Sequence, residues 1–183
     1  ACKRLEEFKF EGFTSLTKLP ERFMSHTGIK RLTFKDVDAI ISIGERFLMG
    51  TKELEEFEFA GFTSLMKLPP HFLALSDIKR LSFSNLDALT SIGSHFLENT
   101  TQLEELEFAG LGSPGSLTNI DEKFMASSGV RRLVFRDVAS VTSIGYDFLF
   151  DTKQLEELEF SGFKSLTKLP KNFMQRSGVT RVS

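Results

Sequence analysis

Lys3–Met24 reads KRLEEFKFEGFTSLTKLPERFM, and nearly the same text returns as KELEEFEFAGFTSLMKLPPHFL from Lys52 and as KQLEELEFSGFKSLTKLPKNFM from Lys153. Self-similarity at a fixed period decides architecture before local propensity does, because each copy is one unit that buries its apolar face only by stacking on its neighbours. The first apolar residue of successive units falls at Leu5, Ile29, Leu54, Ile78, Leu103, Val130, Leu155 and Val179, at spacings of 24, 25, 24, 25, 27, 25 and 24 residues. The chain of 183 residues is therefore one solenoid domain over residues 1–183, with seven units and the beginning of an eighth. The 27-residue unit is a 24-residue unit with three extra residues within Gly112–Ser116, a loop composition that lets an insertion bulge outward and decorate a rim.

Numbered from that first residue, apolar side chains recur at positions 1, 4, 6, 9, 12, 15, 19 and 20 of each unit. Positions 4 and 6 alternate with polar residues, so positions 2 to 6 are read as a short half-buried strand; the later spacings of three and four suit turns or a short helical segment. Position 16 holds Pro20, Gly44, Pro69, Gly93, Asp121, Gly145 and Pro170, residues that favour a turn at the same point of every coil. Position 6 is Phe in all seven units (Phe10 to Phe160), and so is position 19 (Phe23 to Phe173). Fourteen of the 20 Phe thus fall into two expected internal stacks, and with one Tyr and no Trp the aromatic content reads as buried architecture.

The pattern LxxLxF followed by SLTxL, or by VTSIGxxFLxxTxxL, resembles the leucine-rich repeat, particularly the BspA-like type of microbial surface proteins, from Leu5 to Val182. The resemblance implies an α/β leucine-rich-repeat solenoid: parallel strands forming a concave sheet, irregular or short helical segments on the convex side, and a cell-surface or secreted setting. It also implies a non-enzymatic module that binds a protein or peptide. The asparagine of the common repeat is replaced at position 9 by Phe13, Val37, Phe62 and Leu86, so no asparagine ladder is expected. Hydroxyl residues, among them Thr27, Thr51, Thr100 and Thr152, stand where the family has cysteine.

Strand side chains alternate faces, so positions 3 and 5 line the concave sheet. Position 3 reads Glu7, Arg31, Glu56, Arg80, Glu105, Arg132, Glu157, Arg181, a change of sign at every step, and position 2 nearly repeats it. In a parallel in-register sheet this predicts a ladder of cross-strand ion pairs, each worth roughly 0.2–1 kcal/mol. Position 5 is less regular, and no basic residue neighbours Glu58, Glu107 or Glu159 at that level in the adjoining coils, which predicts a weakly acidic centre. The candidate partner-binding residues are accordingly Glu56, Glu58, Arg80, Ser82, Glu105, Glu107, Arg132, Val134, Glu157 and Glu159.

A net charge of −2, from 23 Lys and Arg against 25 Asp and Glu, gives no positive field for a nucleic acid backbone. Cys2 is the single cysteine, too few for an internal disulfide or a thiolate zinc module, and the longest apolar runs, such as Ala39–Ile41 and Phe148–Phe150, are far too short to cross a membrane. No GxSxG elbow, phosphate loop or HExxH motif is present, so neither an enzyme nor a cofactor is expected. His71 and His95 share position 18 in adjacent coils and so could meet, yet Arg22, Arg46, Lys123, Asp147 and Asn172 elsewhere mark a solvent-facing slot, and no metal is expected there. Repeats run up to both ends of the sequence without capping units, so it is read as part of a longer array, with end-to-end self-association as the alternative.

Overall fold

The computed structural model describes residues 5–109, 117–135 and 138–182, so Cys2 and the Gly112–Ser116 insertion lie outside the described residues. Each full coil gives one longer strand, and each of the first six also a two-residue strand. In sequence order these are β1 (Glu7–Glu11), β2 (Lys18–Leu19), β3 (Arg31–Lys35), β4 (Ser42–Ile43), β5 (Glu56–Phe59), β6 (Lys67–Leu68), β7 (Arg80–Ser84), β8 (Ser91–Ile92), β9 (Glu105–Ala109), β10 (Asn119–Ile120), β11 (Arg132–Phe135), β12 (Ser143–Ile144), β13 (Glu157–Phe160) and β14 (Arg181–Val182). All pairings are parallel and in register, so the same unit position meets itself in the next coil: Glu7 opposite Arg31, Arg132 opposite both Glu105 and Glu157. The strands begin at position 3, one residue later than expected, although position 2 still joins the ladder through Lys30 N–H donating to the Glu6 carbonyl at 2.9 Å.

The long strands do not form one sheet. β1, β3 and β5 make one, β7, β9, β11, β13 and β14 another, and among the described residues no pairing joins β5 to β7. Coils 3 and 4 are held instead from the other side, where Gly93 N–H donates to the Leu68 carbonyl at 2.8 Å and His71 N–H to Ser94 at 2.9 Å.

That other side corrects the expected short helical segments, for the described residues contain no helix. Positions 18, 20 and 22 all take left-handed backbone, as in Arg22, Met24 and His26 or His71, Leu73 and Leu75, with φ between 53° and 61° in these two coils. Alternate residues of opposite hand cannot close i to i−4 bonds. Their peptide groups point between coils instead: Arg22 N–H donates to Glu45, Leu48 N–H to Phe23 and His26 N–H to Met49, at 2.8–3.0 Å. Left-handed backbone excludes β-branched side chains, which accounts for position 20 being always Leu or Met (Met24, Leu48, Leu73, Leu97, Met125, Leu149, Met174) while position 1 accepts Ile and Val.

Both phenylalanine stacks exist. The position 19 rings run unbroken from Phe23 to Phe173, neighbouring centroids 5.1–5.8 Å apart and planes within 4–19°. The position 6 stack is regular only through Phe83, Phe108 and Phe135, at 5.0 and 4.9 Å. Phe59 and Phe160 turn away to stack on the position 9 ring of their own coil, Phe62 at 3.9 Å and Phe163 at 3.7 Å, and meet the neighbouring stack edge-on, Phe59 against Phe83 at 74°.

The hydroxyl at position 23 has a structural use. Thr51, Thr100 and Thr152 are fully buried and donate to the carbonyl three residues earlier, Leu48, Leu97 and Leu149, at 2.7–2.8 Å, beside the left-handed residue whose carbonyl would otherwise be without a partner. Ser76 and Ser128 occupy the same place with buried hydroxyls that have no partner. Thr100→Ala is therefore expected to lower stability by about 1–2 kcal/mol, from the lost bond and methyl group, whereas Ser76→Ala is expected to be neutral or stabilising. Urea unfolding of the two variants checks the contrast; equal losses would contradict it.

Candidate functional site

The face formed by the long strands carries the charged positions. Its ion-pair ladder is complete at the C-terminal end: Arg132 pairs with Glu105 at 2.8 Å and with Glu157 at 3.3 Å, and Glu157 with Arg181 at 3.8 Å. At the N-terminal end Glu7 meets Arg31 and Glu6 meets Lys30, both at 3.3 Å. Arg31 first, then Lys9, stabilise the Glu7 carboxylate and hold its pKa below the usual carboxylate range. The stabilisation from this pair is present above the pKa of a free glutamate and is lost as pH falls through the depressed value.

Arg132→Glu would place three glutamates side by side in place of two ion pairs. We expect a loss of about 1–2 kcal/mol at low ionic strength, shrinking in high salt as the charges are screened. Arg80→Glu should cost less, because the Arg80 side chain is 78% exposed and its ion pair with Glu104 is long, at 3.8 Å. Melting temperatures in low and high salt check both; a loss at Arg132 that salt does not diminish would contradict the ladder.

Between these ends the ladder opens. Glu56 sits opposite Arg31 in the paired strands, yet neither Glu56 nor Glu58 makes an ion pair or side-chain hydrogen bond among the described residues. The opening coincides with the unpaired junction of β5 and β7. A hollow of about 430 Å³ lies there, lined by Glu56, Glu58 and Ser82 together with Leu32, Phe57 and Phe59. A second hollow of about 660 Å³ lies against the start of the same strands, between Glu53, Glu55, Asp77 and Lys79.

The candidate residues thus divide in three. Glu56, Glu58, Arg80 and Ser82 are exposed around the opening; Glu105, Glu107, Arg132, Glu157 and Glu159 are half-buried along the intact ladder. Val134 is fully buried, which removes it from the candidate surface. It pairs in register with Glu107 on one side and Glu159 on the other, and a compact branched side chain between two long ones is screened from solvent. Sequence reasoning missed Phe57, because the alternation at position 4 points wholly to the core; Leu32 obeys it and is buried, whereas Phe57 is half-buried, and its signal is a ring where most coils have Leu.

No helix among the described residues is long and apolar enough to cross a membrane. The family model for the BspA type leucine rich repeat region matches residues 1–128 and 71–180, with six copies. No curated protein and no solved structure shows significant similarity. Parallel coils of 24–27 residues, the repeated LxxLxF strand and a family match spanning nearly the whole length agree, and the protein belongs to the BspA-type leucine-rich repeats.

Proposed function

We propose that this solenoid is a non-enzymatic interaction module whose ligand is a basic, extended protein or peptide segment bound across coils 3 and 4 of the strand face. The family supports the coarse part of this reading, since its repeats generally serve as interaction modules. One observation supports the finer part: the ion-pair ladder that links Glu7 to Arg31 and Glu105, Arg132, Glu157 and Arg181 to one another is interrupted where Glu56 and Glu58 are exposed beside a hollow that Phe57 also lines. Two carboxylates without cationic partners among the described residues favour Lys or Arg, and the half-buried Phe57 offers apolar surface for an intervening side chain. The coils hold these groups in place through backbone bonds on the opposite side, so binding would lose little conformational entropy.

An array of extended peptides carrying Lys and Arg at alternate positions, with charge-reversed counterparts, tests this reading. Basic members should bind and weaken as salt rises, and the double variant Glu56→Lys, Glu58→Lys should bind them at least about tenfold more weakly, a difference of ~1.4 kcal/mol. Equal binding by the variant, or no preference between the peptide sets, would leave the alternative reading, a structural or self-assembling repeat without a specific ligand.

A further inference from the structure

On the turn side of the same two coils, His71 and His95 stack with ring centroids 4.5 Å apart and planes 20° from parallel. Both take φ of 57° at position 18, so successive coils project their imidazoles in the same direction. The mount is rigid: His71 N–H donates to Ser94 at 2.9 Å, His95 N–H to Glu122 at 3.0 Å, and Leu97 N–H to Phe72 at 3.0 Å. Glu98, three residues beyond His95, brings a carboxylate oxygen to 2.7 Å from His95 Nδ1. One donor atom from each of the three side chains lies within 4.8 Å of the other two, and His95 and Glu98 keep 23% and 22% of their side-chain surface open to solvent. The solvent-facing slot expected from sequence is, in these two coils, a half-buried cluster.

We infer that His71, His95 and Glu98 form a site for a divalent transition ion of the zinc class, binding two imidazole nitrogens and one carboxylate oxygen and leaving a position open to water. The donor set suits such an ion and not magnesium or calcium, which take oxygen ligands. Bonds of about 2.0–2.2 Å place tetrahedral donors roughly 3.3–3.5 Å apart, so side-chain rotations of about 1 Å close the set. The ligands must be unprotonated, and His71 is held toward the neutral form by burial first, then by the neighbouring charges of His95 and Arg46, against the opposing pull of Glu98 and Glu45. Two cations flank the site: Arg46 is engaged by Glu21 at 3.0 Å, and Lys123 stands 4.0 Å from Glu98, where it competes with the ion. Because His71 belongs to coil 3 and His95 and Glu98 to coil 4, the ion ties together the two coils whose long strands are unpaired on the other face. This inference is independent of the proposed ligand of that face.

The test uses the 183-residue chain with Cys2→Ser, so that its thiol takes no part. Thermal melting with Zn²⁺ should rise by several degrees, Mg²⁺ at equal concentration should have no effect, and Co²⁺ should give the intense visible absorption of a four-coordinate site. Asn172 occupies position 18 with φ of 59°, so His71→Asn and His95→Asn keep a side chain the fold already accepts. Each should abolish the shift and the Co²⁺ spectrum, Glu98→Gln should weaken binding by at least the roughly 10–100-fold that losing a group merely orienting a ligand costs, and Lys123→Gln should strengthen it. His26→Ala, which removes the third histidine, should change nothing. Absence of a Zn²⁺ shift, an equal shift with Mg²⁺, or a shift that survives in the double histidine variant would overturn the site.

Discussion

Phe96→Ala is expected to destabilise the solenoid by about 3–5 kcal/mol, the range for deleting a buried ring whose space cannot collapse. Phe96 is fully buried in the continuous stack, 5.5 Å from Phe72 and 5.2 Å from Phe124, and also meets Phe83 and Phe108 of the second stack at 5.9 and 6.1 Å. Collapse is opposed by the backbone bonds that fix the coil spacing, Leu97 N–H to Phe72 at 3.0 Å and Met125 N–H to Phe96 at 2.8 Å. Spacings of 5.1–5.8 Å in this stack lie close to the roughly 4.8 Å between neighbouring strands, so ring stacking and strand pairing are satisfied together. In a solenoid each coil is stabilised only by its neighbours, so one substitution weakens two interfaces. Phe173→Ala, at a half-buried ring of the last full coil, should cost less than half as much. Guanidinium unfolding of the two variants measures the difference; equal losses would mean that burial within the stack does not set the cost.

Gly145→Ala is the second large effect, and its cause is space. A Cβ built on Gly145 would lie 2.3 Å from the backbone nitrogen of Glu122 and 2.5 Å from its Cα, in the preceding coil. Real Cβ atoms do not approach backbone so closely, and the coil cannot retreat without breaking Gly145 N–H to Ile120 at 2.8 Å and Lys123 N–H to Tyr146 at 2.9 Å. We expect a loss above the usual overpacking range of about 1–3 kcal/mol, with the coils that follow Gly145 unfolding at lower denaturant than those before it. Gly12 is the comparison. It has φ of 75° and open space around its Cβ, and Asp36 and Asn85 hold the same position 8 in other coils, so Gly12→Asn should cost less than about 1 kcal/mol. Similar losses at the two glycines would show that backbone hand, and not the approach of the preceding coil, governs position 16.

Both predictions rest on features that are only partly legible in the sequence. Two phenylalanine columns are plain there, because Phe10 to Phe160 and Phe23 to Phe173 repeat with the period. That one column is continuous and the other broken at Phe59 and Phe160 depends on whether the position 9 side chain of the same coil is a ring that competes for the stack. Glycine at position 16 reads as a turn signal. It is required because the preceding coil's backbone passes within van der Waals distance, a contact between residues 23 apart that no local pattern reports.

By itself the sequence determined the coil: its length, the parallel register, the alternation of charge along position 3 and the positions of the buried rings. A repeat that stacks on itself converts each periodic feature into a column, so composition becomes geometry without further information. Only the tertiary structure decided how neighbouring coils are joined. Left-handed backbone at positions 18, 20 and 22 replaces the expected helix with bonds between coils, because their direction depends on which carbonyl lies across the gap. It also left β5 and β7 unpaired, freed Glu56 and Glu58, buried Val134, and brought Glu98 to the stacked histidines. Each of these outcomes depends on the particular pair of side chains that meet at one interface, and a periodic pattern describes the average interface.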